Sequence, residues 1–240
     1  MDTPWWDIVP SSLAQWVGAV GTILAVTVAL FKDSLHGMLY GADLRVTCKK
    51  DTPWTVKTPA FGWPGPHANL PPWKGDCYFV RLKVDGAGGS RSEKVEVSLS
   101  KVEVQGLDGS FVEVPLALPL NMKWSNRSAS ILDGISFGMS AFCDIVSICD
   151  PANQYQKRPV GLQANKTVAH LEAEIEPLND SHALAPGTYR LKLRIAAANV
   201  TPFDRVVEFT HTGDWVHDDA AMRRDCLSVS MKRSVRLLSW

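Results

Sequence analysis

The chain lacks the features by which common enzymes and nucleic-acid-binding proteins are recognised. Its 25 basic and 25 acidic residues cancel, so no net positive charge is available to hold a nucleic acid polymer. It has no P-loop, no dinucleotide-binding glycine motif and no zinc-protease helix motif. We therefore predict a protein that is not an enzyme, with no catalytic residue, no metal, no cofactor and no nucleic acid partner.

Cysteine is scarce, with five residues in the chain of 240. An odd number at irregular spacing is unlike a disulfide framework, and Cys143 and Cys149 are too far apart for a zinc knuckle. We expect all five thiols to be buried and reduced. Reduced thiols are typical of a cytosolic domain.

Charge is absent from one long stretch, between Ile8 and Phe31. A helix of this length measures about 36 Å, against about 30 Å for the hydrocarbon core of a bilayer. We therefore predict one transmembrane helix, with Trp5, Trp6 and Trp16 near one interface. A signal peptide is disfavoured by the acidic N-terminus and the missing cleavage motif. A buried core helix is disfavoured because cores rarely need so long an uncharged segment.

The flanking charges predict the orientation of this helix. No lysine or arginine precedes it, whereas Lys32, Arg45, Lys49 and Lys50 follow it. Basic flanks favour the cytoplasmic side of a membrane. We therefore predict a single-pass protein of the inner (cell) membrane, with its N-terminus outside and its C-terminal domain in the cytoplasm.

Small residues recur at helical spacing along the predicted membrane segment. Such spacing lets the backbones of two helices approach closely in lipid, although glycine and alanine are also common in membrane helices generally. We predict that this face mediates homo-oligomerisation. The predicted assembly residues are Ala14, Gly18, Gly21, Ala25 and Ala29.

The remainder of the chain has the pattern of an antiparallel β domain. Short segments alternate apolar and polar residues, and no alternation of strands with long helices is present. Asp108 and Gly109 separate two such segments, which is a strong hairpin signal. We predict a mainly β fold, with one N-terminal transmembrane helix followed by an antiparallel β-sandwich or barrel-like domain.

We divide the chain into four parts. Residues 1–34 form the anchor, residues 35–41 a connector or helical extension, residues 42–232 the cytosolic β-sandwich domain and residues 233–240 a basic, apolar tail. The tail either lies on an anionic membrane surface or packs as a last strand.

Two long irregular stretches, residues 51–76 and 149–165, interrupt the strands. Loops of this length are usually functional or disordered, and their aromatic content argues against disorder. Aromatic faces stack on nucleobases and basic side chains meet phosphates, although tryptophans also cover the ends of sandwiches or lie at membrane interfaces. The predicted ligand-binding residues are Trp54, Trp63, Trp73, Lys74, Lys157 and Arg158.

Two short motifs resemble catalytic or metal sites, but their context favours structural roles. Residues 134–138 match the G-x-S-x-G pattern around a nucleophilic serine, here Ser136, without the strand and helix that this chemistry needs. His211 and His217 lie among aspartates, but at a spacing that fits no metal-ligand pattern. We predict a turn there, followed by a short helix within residues 218–225.

Three segments resemble small, uncharacterised bacterial membrane proteins. They are residues 16–31, Pro-Gly-Thr-Tyr-Arg-Leu at 186–191 and Gly-Asp-Trp at 213–215. The layout is also similar to that of membrane effectors of bacterial anti-phage signalling, in which membrane helices join a cytosolic β domain that senses a cyclic nucleotide or a similar signal. This resemblance implies ligand-triggered assembly and loss of membrane integrity. Those effectors often carry more than one membrane helix, whereas this chain has one.

Two functions are favoured by these observations over a third, a serine hydrolase that would use Ser136 or a metal enzyme that would use His211 and His217. The first is a membrane-anchored sensor or effector, whose β domain binds a small ligand, such as a nucleotide signal, or a partner protein. Its helix would oligomerise to perturb the membrane. The second is a passive scaffold or protein-interaction module tethered to the membrane, without pore activity.

Overall fold

The chain forms two compact units, Met1–Gly41 and Ala42–Trp240. The first contains one long helix and the second contains the β-strands. The computed structural model describes residues 11–62, 72–125, 127, 129–153 and 155–232, without the side chains of residues 11–15 and 33–40.

The first unit contains helix α1, Ser11–Tyr40, which is 30 residues long. Every described side chain along it, over residues 16–32, is exposed. The hydroxyl groups of Thr22 and Thr27 donate to backbone carbonyls one turn earlier, at 2.8 Å each. The helix continues through most of the predicted connector, as its helical alternative anticipated. Among the residues that the structure describes, no helix has the length and apolar character needed to cross a membrane.

The second unit is built from two seven-stranded antiparallel sheets. A short helix α2, Asp219–Ala221, and a π-helical turn, Met222–Cys226, precede the last strand. The strands are β1 Leu44–Thr47, β2 Thr55–Gly62, β3 Trp73–Gly86, β4 Ser92–Gln105, β5 Phe111–Glu113, β6 Leu120–Asn121, β7 Lys123–Trp124, β8 Ile131–Ile135, β9 Ser140–Cys149, β10 Ala169–Leu171, β11 Ala183–Leu184, β12 Gly187–Ala197, β13 Val200–His211 and β14 Leu227–Lys232.

Each sheet has a simple order. The first runs β1-β3-β9-β10-β11, with β2 also paired to β3 and β7 to β9. The second runs β14-β13-β12-β4-β5, with β6 and β8 also paired to β4. The mainly β, antiparallel fold predicted from the sequence is confirmed, and the two-sheet arrangement is consistent with a sandwich.

Alternating residues of both sheets build one hydrophobic core. In β3 the fully buried side chains include Tyr78, Val80 and Leu82. In β12 they include Leu191 and Leu193. These residues belong to a single cluster of buried side chains. Because successive side chains of a strand point to opposite faces, one face of each strand enters the core.

The structure confirms a predicted hairpin and contains strands that the sequence does not predict, of which β2 is the longest. The Asp108-Gly109 hairpin is confirmed, since β4 pairs with β5 across it and Gly109 has a positive φ of 80°. The stretch 51–76, predicted to be irregular, instead contains β2, which pairs with β3.

The prediction that all five cysteines are reduced is wrong for two of them. Cys77 and Cys149 form a disulfide, with their Cα atoms 4.0 Å apart. They are direct partners in the ladder between β3 and β9, so the strand register brings them together despite 72 residues of separation. Disulfides persist mainly in oxidising compartments, so the cysteines give no support to a cytoplasmic location.

Alkylation of the denatured protein measures this pairing directly. Without a reductant, we expect three cysteines to be modified, Cys48, Cys143 and Cys226, and after reduction all five. Intact-mass spectrometry reads both states. In a Cys77→Ser variant the released Cys149 should be modified without any reductant. Modification of all five cysteines in the unreduced wild type would contradict the disulfide.

Candidate ligand cleft

The β domain has two ends, which the strand register defines. β1 begins at Leu44, which pairs with Gly86, the last residue of β3. We call this the entry end, because the chain enters the domain here at Ala42. Cys77 and Cys149 pair near the other end of β3 and β9, which we call the loop end.

A cleft of about 620 Å³ lies at the loop end, where the segment after β9 meets the segment after β13. Carboxylates, an indole ring and an imidazole line it together, which is the mixture of apolar wall and few polar groups that ligand sites use. The lining residues are Asp150, Pro151, Ala152, Ala164, Asn165, Asp214, Trp215 and His217.

One wall of the cleft is the turn after β13. Gly213 has a positive φ of 85°, and a Cβ atom there would meet the Pro186 ring at 2.4 Å. Only glycine suits both conditions. The Gly213 carbonyl accepts a hydrogen bond from the Thr167 amide at 2.7 Å. An ion pair of 2.7 Å between Lys166 and Asp214 adds a second link between the same two segments.

The opposite wall follows the disulfide. The Asp150 amide donates to the Asp76 carbonyl at 3.1 Å, which continues the β3–β9 pairing by one step. The Asp150 carboxylate then accepts the Ala152 amide at 2.8 Å, an arrangement that favours a tight turn. Lys57 of β2 links the two walls. Its ammonium group pairs with the Asp76 carboxylate at 3.0 Å and donates to the His217 carbonyl at 3.1 Å.

Trp215 connects the cleft to the core. Its ring packs edge-on against Tyr78, with ring centroids 5.6 Å apart. The Trp215 indole N–H is buried and has no hydrogen-bond partner among the described residues. Buried donors are usually satisfied, so a water molecule or a ligand atom is the expected partner. Burial, and then the nearby Asp219 carboxylate, raise the pKa of Tyr78.

The charge of the lining residues favours a cationic or neutral ligand over an anionic one. Of the described residues that line it, Asp150 and Asp214 carry carboxylates and none is a lysine or arginine. The ammonium group of Lys166 holds the pKa of Asp214 below its usual value, so this carboxylate is ionised at neutral pH. Among the described residues, no group of three or more ligand-type side chains is placed to hold a metal ion.

A second, smaller pocket of about 320 Å³ is lined by residues of both signs. Its arginines are already engaged: Arg223 makes a bidentate pair with Asp219, and Arg224 pairs with Asp225 at 2.7 Å. Binding an anion here would compete with these pairs. Asp214 of the first cleft is paired with Lys166 in the same way, so the first cleft is preferred for its larger volume and for the partnerless Trp215 indole N–H.

The structure does not bring the predicted aromatic residues together. Trp54 precedes β2, and its indole N–H donates to Thr47 at 2.9 Å. Trp73 begins β3 and pairs with Gly62 at the far end of β2, about 25 Å away at 3.3 Å per residue. Lys74 lies over the Phe61 ring at 5.8 Å. The predicted residue Trp63 lies outside the described residues.

The two predicted basic residues of the second loop have structural partners. Lys157 pairs with Asp180 at 2.6 Å. The Arg158 guanidinium donates to the backbone carbonyls of Gln163, at 2.9 Å, and of Lys166. Neither residue lines the cleft. Arg158 instead fixes the loop that carries Lys166, and so supports the cleft indirectly.

The other predicted sites are placed as follows. Gly18 and Gly21 lie in α1, and added Cβ atoms there would meet nothing within 4 Å. Ala25 and Ala29 are exposed on the same helix, whereas the side chain of Ala14 lies outside the described part of the chain. Ser136 lies between β8 and β9, so a strand follows where a nucleophile elbow needs a helix.

Sequence reasoning did not recognise the cleft residues as a site. Asp150 and Asp214 are 64 positions apart, and only the fold brings their segments together. One feature of the sequence does indicate this site. Histidine and aspartate are frequent between His211 and Asp219, and the chain also contains a loop of unusual length that contributes to the cleft. Residues 233–240, the predicted tail, lie outside the described residues.

Comparison with known proteins identifies no relative of this chain. No protein-family model, no curated protein and no solved structure matches the chain.

His211, at the end of β13, makes the domain sensitive to acid. Its ring is buried, stacks on Phe209 with centroids 5.5 Å apart, and shares a hydrogen bond of 2.9 Å with the Ala185 carbonyl. Burial lowers the pKa of His211 to about 4, and burial likewise lowers the pKa of His170 to about 4. Below about pH 6.5 the unfolded chain binds protons that the folded protein excludes, so stability falls with falling pH.

We expect His211 to contribute about 2 kcal/mol to the loss of unfolding free energy between about pH 8 and about pH 5. Replacing it by His211→Gln, which keeps a donor for Ala185, should remove that part of the loss and leave the part due to His170. Urea unfolding at several pH values measures the profile. The matched control is His217→Gln, an exposed position. An unchanged profile for His211→Gln would contradict this assignment.

Proposed function

We propose that the protein is a membrane-anchored sensor or effector. In this proposal α1 inserts in a membrane and associates with other copies, and the β domain binds a small ligand in the cleft at the loop end. The observation that carries it is the exposure of apolar side chains around the whole described part of α1. The proposed membrane segment is the uncharged stretch 8–31, which begins ahead of the described residues.

The exposed surface of α1 is costly in water. Trp16, Ile23, Leu24, Leu30 and Phe31 are each more than half exposed. Burying a large apolar side chain is worth roughly 1.5–3 kcal/mol, and apolar patches of this extent mark interaction or membrane sites. The threonine hydroxyls of this helix bond to its own carbonyls, so they need no partner from water.

The small-residue face of α1 supports association between copies. Gly18 and Gly21 have open space around them, so a second helix could approach the backbone closely there. One helix alone cannot form a pore, so any loss of membrane integrity requires an oligomer. Oligomerisation is therefore the property that distinguishes an effector from a passive tether.

The orientation is proposed from the flanking charges alone. Lys32, Arg45, Lys49 and Lys50 follow the uncharged stretch and no basic residue precedes it. The β domain would then face the cytoplasm of the cell, with the N-terminus outside.

The sensing part of the proposal rests on the cleft beside Trp215. Its volume suits a small molecule, and its indole N–H lacks a partner among the described residues. The two carboxylates disfavour a nucleotide, whose phosphates they would repel. An ammonium group would suit the indole face and the Asp214 carboxylate, which it would share with Lys166. The indole N–H needs an acceptor, which an ammonium group lacks and a water molecule supplies.

Substitution on the small-residue face should reduce association. Gly18→Ile meets no atom of its own chain and is not expected to weaken the helix, but it would hold a second backbone apart. We expect the association constant in detergent to fall by about tenfold or more, since helix contacts of this kind are worth about 1–2 kcal/mol. Native mass spectrometry and crosslinking measure the oligomer.

The matched control is Thr27→Ile, a small-to-large change on the opposite side of α1, which should leave the oligomer unchanged. If wild type is monomeric in detergent with and without ligand, the effector proposal fails. A functional but monomeric Gly18→Ile protein would instead indicate a passive tether.

Small probes should distinguish ligand classes at the cleft. We expect spermidine to raise the melting temperature of the wild type and a cyclic dinucleotide to have no effect. Asp214→Asn should weaken the spermidine effect. Asp180→Asn is the matched control, because Asp180 also pairs with a lysine but lies outside the cleft lining. Equal losses in both variants would indicate nonspecific charge binding and would contradict a site at the cleft.

A further inference from the structure

The disulfide between Cys77 and Cys149 lies directly beside the cleft at the loop end. Asp150 follows Cys149 in sequence and lines the cleft. Asp76 precedes Cys77, and its carbonyl accepts a hydrogen bond from the Asp150 amide at 3.1 Å. The covalent link between β3 and β9 is therefore one residue away from the wall of the cleft.

The residue before the disulfide is also connected to the opposite wall. The Asp76 carboxylate pairs with the Lys57 ammonium group at 3.0 Å. The same ammonium group donates to the carbonyl of His217 at 3.1 Å, and His217 lines the cleft. A movement of β3 at Cys77 would therefore displace groups in both walls, through Asp150 on one side and through Lys57 on the other.

Reduction of a disulfide changes the space that its two sulfur atoms need. Bonded sulfur atoms lie about 2 Å apart, whereas nonbonded heavy atoms prefer about 3.5–4 Å. Cys77 is 1% exposed, so its sulfur has little free space around it. Separation of the two sulfur atoms would therefore displace Cys149 and the start of the segment that follows it, which begins with Asp150.

The β domain does not need this bond to keep its core. The ladder between β3 and β9 continues from the pair Tyr78–Ile148 to the pair Asp85–Ser140. The buried face of β3 remains packed in the hydrophobic cluster. Opening is easiest at the end of a ladder, so reduction should change the cleft locally and leave the two sheets folded.

The cysteines differ in their access to a reductant. Cys149 is half-buried, whereas Cys77 is buried, so Cys149 is the more accessible of the pair. The remaining cysteines, Cys48, Cys143 and Cys226, are buried and unpaired. Burial raises the pKa of each of these three thiols, which makes them poor partners for thiol exchange.

We propose that the Cys77–Cys149 disulfide is a reversible redox switch that orders the cleft for its ligand, with a protein dithiol as its reductant. This inference rests on the proposed ligand site at the cleft. In the proposed orientation the β domain faces the cytoplasm, where the disulfides that do form are usually catalytic or redox-sensing. The oxidised protein binds the ligand, and the reduced protein binds it weakly.

The exchange proceeds in two steps. One thiolate of the reductant attacks the Cys149 sulfur, the original S–S bond breaks, and Cys77 leaves as a thiolate that takes up a proton. The second thiolate of the reductant then attacks the reductant's own sulfur in the mixed disulfide. This releases Cys149, which also takes up a proton. In total the reductant becomes a disulfide, and two electrons and two protons pass to the cysteine pair.

Hydrogen exchange at the cleft wall tests the switch without any ligand. The full chain in detergent is compared before and after incubation with reduced thioredoxin, a protein dithiol. The amides of Asp150, Ala152 and Asn153 are hydrogen-bonded in the oxidised protein. We expect exchange over residues 150–153 to become about tenfold faster or more on reduction, and to slow again after reoxidation by oxidised glutathione. Residues 189–195 of β12 are the internal control and should not change.

Two variants separate the disulfide from the other thiols. The double variant Cys77→Ser, Cys149→Ser should show the fast exchange with and without thioredoxin. The matched control is Cys48→Ser, which removes a buried, unpaired thiol and should respond like the wild type. Melting temperatures check that both variants are folded, and the comparison of the two redox states of the wild type depends on neither.

Spermidine binding, measured by isothermal titration calorimetry, distinguishes this inference from the proposed ligand site. We expect reduction to raise the Kd for spermidine about tenfold or more. The inference is overturned if native protein keeps its disulfide in the presence of thioredoxin, or if exchange over residues 150–153 is unchanged. Equal or tighter binding of spermidine by the reduced protein also overturns it, while the ligand site stands. If reduction speeds the exchange but spermidine binds neither state, the amine site fails and the switch stands.

Discussion

The antiparallel ladder between β3 and β9 is the interaction on which the rest of the β domain depends. It lies at the centre of the first sheet, and its register places Cys77 opposite Cys149 and Val84 opposite Ala141. A shift of one residue would turn every core side chain of one strand toward solvent. Because one face of β3 is fully buried, the core itself specifies the register, and both ends of the domain are built from it.

This ladder, whose register shifts by one residue between Val80 and Arg81, supports different chemistry at its two ends. At the loop end, the strand pairing continues into Asp150 and supports one wall of the cleft. At the entry end, it positions Gly86 to clamp the turn that presents Phe137 and Met139. From Cys77 to Gly86, β3 covers ten residues, about 30 Å in extended conformation.

The parts of the fold that the sequence predicted are those fixed by local alternation and turn chemistry. β2 was missed because Pro59 and its neighbours indicate a loop. The structure accommodates Pro59 because β2 pairs only with β3 and lies at a sheet edge, where a missing backbone donor is tolerated. The disulfide and the cleft were missed for another reason. Both join segments more than sixty positions apart, and spacing along the chain carries no information about cross-strand partners.

The disulfide also changes the argument about location. Reduced thiols and basic flanking residues each predicted a cytoplasmic β domain. The disulfide between Cys77 and Cys149 removes the prediction that rested on reduced thiols. It does not demand an oxidising compartment for folding, because the ladder hydrogen bonds and the buried face of β3 hold the two strands together without it. Its loss would return loop entropy to the unfolded chain while leaving the sheet intact. In the proposed function, the basic residues that follow α1 are therefore the remaining basis for the orientation of the β domain.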